Sequence, residues 1–349
     1  MKKMIKYPST DQFRNAIRDV THSARYKGMD AEGNAEFYKD YEMTLPTLRF
    51  TGTIKVHGTN ANLAFNDVDG MWIQSRKNII TMENDNAGYA FFVESIGEEA
   101  FKNMFKRYYD QIDTSTNTVS VYSEWAGRSI HKGVAVNNLD KMMYVFGVKV
   151  TPNDEEVASY WIDIGEDDFD NDKVHNIKKF GTYDIDIDFN DPSIAQNAII
   201  EMTLGVEDEC PVGKFFGFSG VGEGLVFTHL RDDGSVIRFK SKGKKHSVSN
   251  TKTLAPIDVE KLRSVQEFVN YAVTDNRLEQ GIDAVFTSEG IDPDMPDTGK
   301  LLKWMNSDIC KEEMDVLVEN NLEFRDVVKA VSREVVAWFK EYLDNKAGL

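Results

Sequence analysis

The sequence predicts an α+β fold: antiparallel sheets flanked by helices over residues 1–250, then an all-helical region over residues 251–349. Three observations predict it. Strand-like segments crowd the stretch from Thr51 to Ser241 with few helices between them, which argues for antiparallel sheets and against a doubly wound parallel one. Two of them, TGTIKVH at 51–57 and VIRFKSK at 236–242, alternate polar and apolar residues with the period of two of a half-buried strand. From about Thr251 the period lengthens to that of a helix.

In chain order, a short helix is expected over Thr10–Val20, then a polar, turn-forming segment from Gly28 to Asp40. Strands are expected at Thr51–His57, Asn62–Phe65 and Met71–Ser75, a helix near Gly88–Tyr109, and strands again at Thr118–Glu124, Met142–Val150, Gly224–His229 and Ser235–Ser241. After Pro256, Asp258 is placed to cap a helix with Val259, Leu262, Val265, Phe268, Val269 and Ala272 at helical spacing. The run DPDMPDTG at 292–299 reads as a turn-rich connection to helices around Leu301–Asn320. From Asp326, the positions Val328, Val331, Val335, Trp338, Phe339 and Tyr342 make one apolar stripe, with Lys329, Arg333, Glu334 and Glu341 off it.

At 349 residues the chain has room for two domains and a large core. No apolar run approaches the ~20 residues that span a bilayer, and the basic start MKKMIKYPSTDQF has no apolar stretch behind it, so a cytoplasmic protein is expected. With only Cys210 and Cys310 and no Cys/His cluster, neither a disulfide framework nor a structural zinc site is expected. The formal charge is −17, and residues 151–210 alone hold 17 Asp/Glu against 3 Lys. That stretch reads as a solvated acidic insertion. Residues 211–252 carry 8 Lys/Arg against 3 Asp/Glu, and residues 1–27 carry 7 against 2, so local basic surfaces exist that could follow a phosphate backbone.

The stretch Lys55-Val56-His57-Gly58-Thr59-Asn60 is the most informative. Alternation sends Thr53, Lys55 and His57 to one strand face and Ile54 and Val56 to the other, and puts a potential lysine nucleophile just before a glycine turn. Arg238, Lys240 and Lys242 repeat the device on the later strand, where three cations in a row need anions. Between these strands lie Arg76 in SRKN, placed to grip a phosphate, and Glu124 in SEWAG, a carboxylate able to accept ribose hydroxyls. Phe146 in YVFGV and Glu223 in GEGLVF complete the set, the glutamate between glycines that allow close backbone approach. Taken singly, Phe146 also suits a core and Glu223 a turn.

Taken in order, KVHGTN, SRKN, SEWAG, YVFGV, EGLVF and RFKSK resemble the motif series of the covalent nucleotidyltransferase superfamily, most closely its RNA ligase 2 branch of phage nick-sealing and RNA-editing ligases. The match spans roughly Thr53 to Lys242. His57 stands where DNA ligases and capping enzymes of that superfamily usually carry aspartate. The resemblance implies a nucleotidyltransferase fold for residues 1–250, ATP as AMP donor, Mg²⁺ or Mn²⁺, and RNA ends as partner, in nicked duplex RNA or an RNA/DNA hybrid. It implies that Lys55 becomes adenylylated and that His57 acts chiefly in transfer to the RNA end. Arg76 would contact a phosphate, Glu124 the ribose and Phe146 the adenine. Glu223 would help hold the metal, Lys240 and Lys242 would meet the α-phosphate, and Asn60 would join the nucleotide contacts. Two positions depart from the pattern: Ile54 and Gly147 stand where many members have acidic residues.

Such chemistry accounts for the residue types. A lysine of ordinary pKa near ~10.4 is almost wholly protonated at neutral pH, and nearby cations favour the free amine needed for attack. The same cations neutralise charge as pyrophosphate departs. The alternatives are a capping guanylyltransferase or DNA ligase of the same superfamily, which typically continue into an OB-fold where this chain turns helical, or a noncatalytic nucleotide- or RNA-binding module.

Overall fold

The computed structural model describes residues 2–30, 33–39, 43–243, 265–320 and 322–347. It is a mixed α+β structure in two compact units, Met1–Ser241 and Lys242–Leu349. The expected helix start at Asp258, with Val259 and Leu262, lies outside the described residues.

The first unit begins with β1 (Asp11–Gln12), α1 (Phe13–Arg25) and a small hairpin of β2 (Tyr26–Met29) and β3 (Ala35–Phe37). Then come β4 (Thr47–Ile54), β5 (Thr59–Asn66), β6 (Gly70–Gln74) and β7 (Ile79–Ile80). Three short helices follow, α2 (Tyr89–Ile96), α3 (Glu98–Met104) and α4 (Lys106–Tyr109), and then the long strands β8 (Asn117–Ala126) and β9 (Met142–Pro152). The remainder is β10 (Tyr160–Ile162), β11 (Val174–Asn176), β12 (Thr182–Asp188), α5 (Ser193–Asp208), α6 (Pro211–Phe215), β13 (Gly224–Leu230) and β14 (Val236–Lys242).

Two sheets carry the unit. One has the order β1-β14-β13-β4-β12; the other runs β10-β9-β8-β5-β6-β7, with β11 also paired to β9. β4 is antiparallel to β12 and β13, and the neighbours along the β10-β9-β8-β5-β6-β7 path are antiparallel, while β1 meets β14 and β11 meets β9 in parallel. Phe239 anchors the five-stranded sheet, its ring centroid 4.8 Å from Phe13 of α1, 5.1 Å from Phe227 of β13 and 5.3 Å from Phe50 of β4. All four phenylalanines are buried. The burial of Phe13, Ala16 and Val20 at helical spacing explains why α1 forms and docks.

Three expectations need correction. The helix near Gly88–Tyr109 is three pieces, because Gly97, at φ +87, breaks it between α2 and α3. The first helix starts at Phe13, not Thr10, since Asp11 and Gln12 pair instead with Phe239 and Lys240. Most importantly, residues 151–210 are no solvated insertion. Trp161, Phe169, Val174, Phe180, Ile187 and Ile199 are buried there, and β12 pairs along all of β4, from Thr182 opposite Thr53 to Asp188 opposite Thr47. On β12 the acids sit on the outward positions, Asp184, Asp186 and Asp188 being exposed while Ile187 is sealed.

The second unit is helical: α7 (Val265–Ala272), α8 (Asp275–Ile282), a π-helical turn (Asp283–Thr287), α9 (Thr298–Glu319) and α10 (Phe324–Ala347). The α10 stripe closes a core with Phe268, Leu278, Leu301, Met305 and Leu317 of the same unit, so its burial is satisfied there. Its fully buried positions are Val327, Val331, Val335 and Phe339, with Val328 only half-buried, a drift of one residue from the expected stripe. Arg277 is sealed in this core, its guanidinium 2.7 Å from the sealed Glu313 and 3.0 Å from Asp308.

Candidate active site

The site is built where β4 runs out. Pairing with β13 ends at Ile54 opposite Leu225, short of the expected strand end at His57, and the Lys55 N–H then donates to the Gly224 carbonyl at 2.9 Å. The alternation outlasts the ladder: Ile54 and Val56 are buried, while Thr53, Lys55 and His57 share a half-buried face. Gly58 turns the chain into β5. A Cβ there would come within 2.4 Å of the Trp125 carbonyl oxygen, so no larger residue fits without moving β8.

Glu223 is the centre of the cluster. It is 3% exposed, and its Oε2 accepts from Lys55 Nζ at 2.7 Å and stands 3.3 Å from His57 Nδ1. Its flanking glycines are required by space and geometry. A Cβ at Gly222 would meet the Val206 carbonyl oxygen of α5 at 2.4 Å, and Gly224 adopts φ +144. Glu124 arrives from β8, directly opposite Asn60 in the ladder, and its Oε1 accepts the Gly58 N–H at 3.1 Å. Asn60 Oδ1 in turn accepts from Asn62 at 2.7 Å.

Burial is the largest influence on the Lys55 amine and pushes its pKa down. The opposing charges of Glu223 and Glu124 outweigh it, leaving the pKa above the ordinary value. Resting Lys55 is therefore an ammonium. Burial also dominates at Glu124, lifting its carboxyl to about 7 against the attraction of Lys55, with Glu223 adding to the rise. A carboxyl poised near neutrality beside a charged lysine is the kind of environment that marks chemistry.

The other candidates take defined places. On β14, Arg238, Lys240 and Lys242 share a half-buried face and Ile237, Phe239 and Ser241 are buried. That strand lies two strand spacings from β4, roughly 10 Å. Phe146 is the extra residue of a β-bulge: Tyr122 pairs with Gly147 and Ser123 with Val145, leaving it without a ladder partner. Bulges re-aim side chains. Arg76 is exposed just past β6, its Nη2 3.5 Å from Ser9 Oγ. Lys55, His57, Glu223 and Glu124 are thus brought together directly, while Arg76 lies against Ser9 and Phe146 against Tyr7.

Two further residues join the site without a motif to announce them. The His131 ring lies 4.4 Å from the His57 ring, tilted against it by 34°, and its Nε2 is 3.0 Å from the Gly58 carbonyl. It comes from a loop with no periodicity. Tyr7, from the segment before β1, meets the Phe146 ring edge-on at 5.2 Å and hydrogen-bonds Arg238 Nη1 at 2.7 Å. The departures from the family pattern also acquire reasons. Ile54 is buried core, and a Cβ at Gly147 would press to 3.1 Å against Trp161 of β10, so a carboxylate at either position conflicts with packing.

Among the described residues no group of three or more His, Cys, Asp or Glu is placed to hold a metal ion, and no helix is long and apolar enough to cross a membrane.

No family of proteins matches the chain, and no curated protein does. Among solved structures it is similar to a Naegleria gruberi RNA ligase with PPi, at 15% identity and TM-score 0.38, over 68% of this chain and 56% of that one. A variant of that ligase with ATP and Mn gives 14% identity and TM-score 0.40 over 69% and 56%. A second variant, with AMP and Mn, gives 14% and 0.39 over 68% and 56%. The matched region is thus little more than half the length of those ligases.

Proposed function

We propose that this chain is an ATP-dependent RNA ligase that joins a 3′-hydroxyl to a 5′-phosphate through AMP carried on Lys55 and then on the RNA 5′ end. The observation that carries the proposal is the convergence of Lys55, His57, Glu124 and Glu223. Three motifs far apart in sequence meet there, with Lys55 Nζ 2.7 Å and His57 Nδ1 3.3 Å from one carboxylate. A chance set of motifs has no reason to converge.

In the resting site Glu223 holds Lys55 protonated. Once other positive charge engages Glu223, burial, the largest influence on the amine, favours its neutral, attacking form. Glu223, with Glu124 as the second carboxylate beside Lys55, suits a divalent cation such as Mg²⁺ or Mn²⁺. When bound, that cation supplies positive charge beside the reacting phosphate, with its remaining ligands drawn from phosphate oxygens and water. Lys240 and Lys242, on their shared strand face, would neutralise the α-phosphate as pyrophosphate leaves. Glu124 would accept ribose hydroxyls and the bulged Phe146 would offer its ring to adenine. His57, pinned between Glu223 and His131, would act when AMP passes from Lys55 to the RNA.

The test is direct. Incubation with ATP and Mg²⁺ should add the mass of one AMP, peptide mapping should place it on Lys55, and Lys55→Ala and Lys55→Arg should abolish it. AMP on another lysine would end this assignment, and labelling by GTP in place of ATP would make the protein a guanylyltransferase.

A further inference from the structure

The segment before α1 has no place in the motif series, yet it touches most of the outlying parts of the site. Ile5 is anchored at both backbone groups. Its N–H donates to Gln74 Oε1 at 3.1 Å, the Gln74 amide donates back to its carbonyl, and Tyr122 Oη also reaches that carbonyl at 3.2 Å. Gln74 and Tyr122 are fully buried, so the anchor lies inside the protein. At the other end, Asp11 and Gln12 pair with Phe239 and Lys240 of β14. The segment is therefore a strap from the six-strand path of one sheet to the edge of the other. Residues 6–10 bridge the anchors and carry Tyr7.

Tyr7 fills a defined position. Its ring meets Tyr122 at 5.0 Å, Phe146 at 5.2 Å and Trp161 at 5.7 Å, each edge to face. Its hydroxyl accepts from Arg238 at 2.7 Å, and that guanidinium also lies over Trp161 at 4.4 Å and donates to Thr228 at 3.2 Å. The phenol is close enough to Lys55 to influence its amine. One side chain thus reaches from the aromatic on the bulge toward the nucleophile. Phe146 needs such support, because the bulge leaves it outside the β8–β9 ladder.

Resting on the function proposed above, we propose that Tyr7 is a positioning residue of the nucleotide site: the strap carries it against Phe146, where it forms a wall of the base subsite and fixes the ring on which the purine stacks. Tyr7 makes and breaks no bond in the reaction. It acts on nucleotide binding through ring packing, and its hydroxyl serves only to hold it to Arg238.

The experiment measures the rate of Lys55 adenylylation against ATP concentration in the full-length protein, for wild type, Tyr7→Phe and Tyr7→Ala. Aromatic pairs of this geometry predict that Tyr7→Ala raises the KM for ATP roughly five- to tenfold with kcat changed less than about twofold. Tyr7→Phe keeps the packing and should stay within about twofold of wild type. Thermal melts and far-UV circular dichroism identify any variant that fails to fold, and Lys6→Ala, an exposed strap residue that leaves Tyr7 in place, should behave as wild type. An unchanged KM in folded Tyr7→Ala overturns the inference. So does a lower KM, which would mean that Tyr7 obstructs the site, or a loss confined to kcat. If wild type itself takes no AMP on Lys55, the underlying function fails instead, and the two failures are distinguishable.

Discussion

Replacing Glu124 by glutamine should make the protein more stable above neutral pH while weakening its use of ATP. Burial lifts the Glu124 carboxyl from an ordinary 4.5 to about 7, against the pull of Lys55. At roughly 1.4 kcal/mol for each tenfold, holding it ionised in the folded state costs about 3 kcal/mol. Because the folded pKa lies above the unfolded one, the stability linked to this group is greatest below pH 4.5 and declines as pH rises through about 7. Glutamine mimics the neutral acid, and its carbonyl oxygen can still accept the Gly58 N–H that Glu124 Oε1 accepts at 3.1 Å. Glu124 is half-buried, so solvent trims the gain, and about 2 kcal/mol is expected at pH 8.

Thermal unfolding at pH 5 and pH 8 reads this out. For a unit of about 240 residues each kcal/mol moves the midpoint by about 2–4 °C, so Glu124→Gln should melt about 4–8 °C above wild type at pH 8. At pH 5, where most of the folded carboxyl is already protonated, the gain should fall below about 1 kcal/mol. The same variant should adenylylate Lys55 more slowly at low ATP. A gain equal at both pH values, or a loss at pH 8, would show that Glu124 is not the strained carboxyl that its surroundings make it.

His57→Ala should impair sealing of nicked RNA more than it impairs AMP transfer to Lys55, because His57 lies beside Lys55 without supplying the electrons proposed to attack; equal loss in both assays would place it in the first step. Residues 1–250 alone should retain a cooperative thermal transition and Lys55 adenylylation but seal RNA poorly, since all six motifs precede that point and the α10 stripe is buried within its own unit. Full-strength sealing by that fragment would remove the helical unit from RNA engagement. Glu313→Ala should cost the helical unit about 3–5 kcal/mol, because it strips the 2.7 Å partner from a sealed Arg277 and leaves Tyr271 Oη without its 2.8 Å acceptor; a melt unchanged for that unit would contradict it.

The strands were legible where period-two alternation was strong, and each expected strand has its counterpart within a few residues. The short strands β1, β2, β3, β7, β10 and β11 escaped, and so did the longer β12, although TYDIDID alternates as clearly as VIRFKSK. Its aspartates weighed as solvated charge, yet on a strand they are only the outward half, leaving Tyr183, Ile185 and Ile187 to face inward. Helix α10 was legible to within one residue because spacings of three and four both fit its stripe, and packing chose Val327. Lys55, His57 and both glutamates could be named because each sits beside a glycine turn or on an alternating strand. Tyr7 and His131 could not, since nothing in local sequence says that a strap or a loop ends on Phe146 or His57. Long-range packing alone places them.

The net charge of −17 has a spatial resolution in the five-stranded sheet. Paired residues of adjacent strands face the same way, so Asp184 and Asp186, opposite Thr51 and Arg49, project from the face that carries Thr53 and Lys55. They stand on the edge strand β12, toward the end of β4 away from Lys55, and Arg49 answers both, at 3.0 Å and 3.7 Å. On the other side of β4, beyond β13, the face of β14 bears Arg238, Lys240 and Lys242. On the function proposed above, a phosphate chain lying along this face would meet repulsion at the β12 edge and attraction toward β14, with Lys55 between. An acidic protein can in this way keep a local basic face, and on that function the acid on β12 would restrict where along the sheet a phosphate chain could lie.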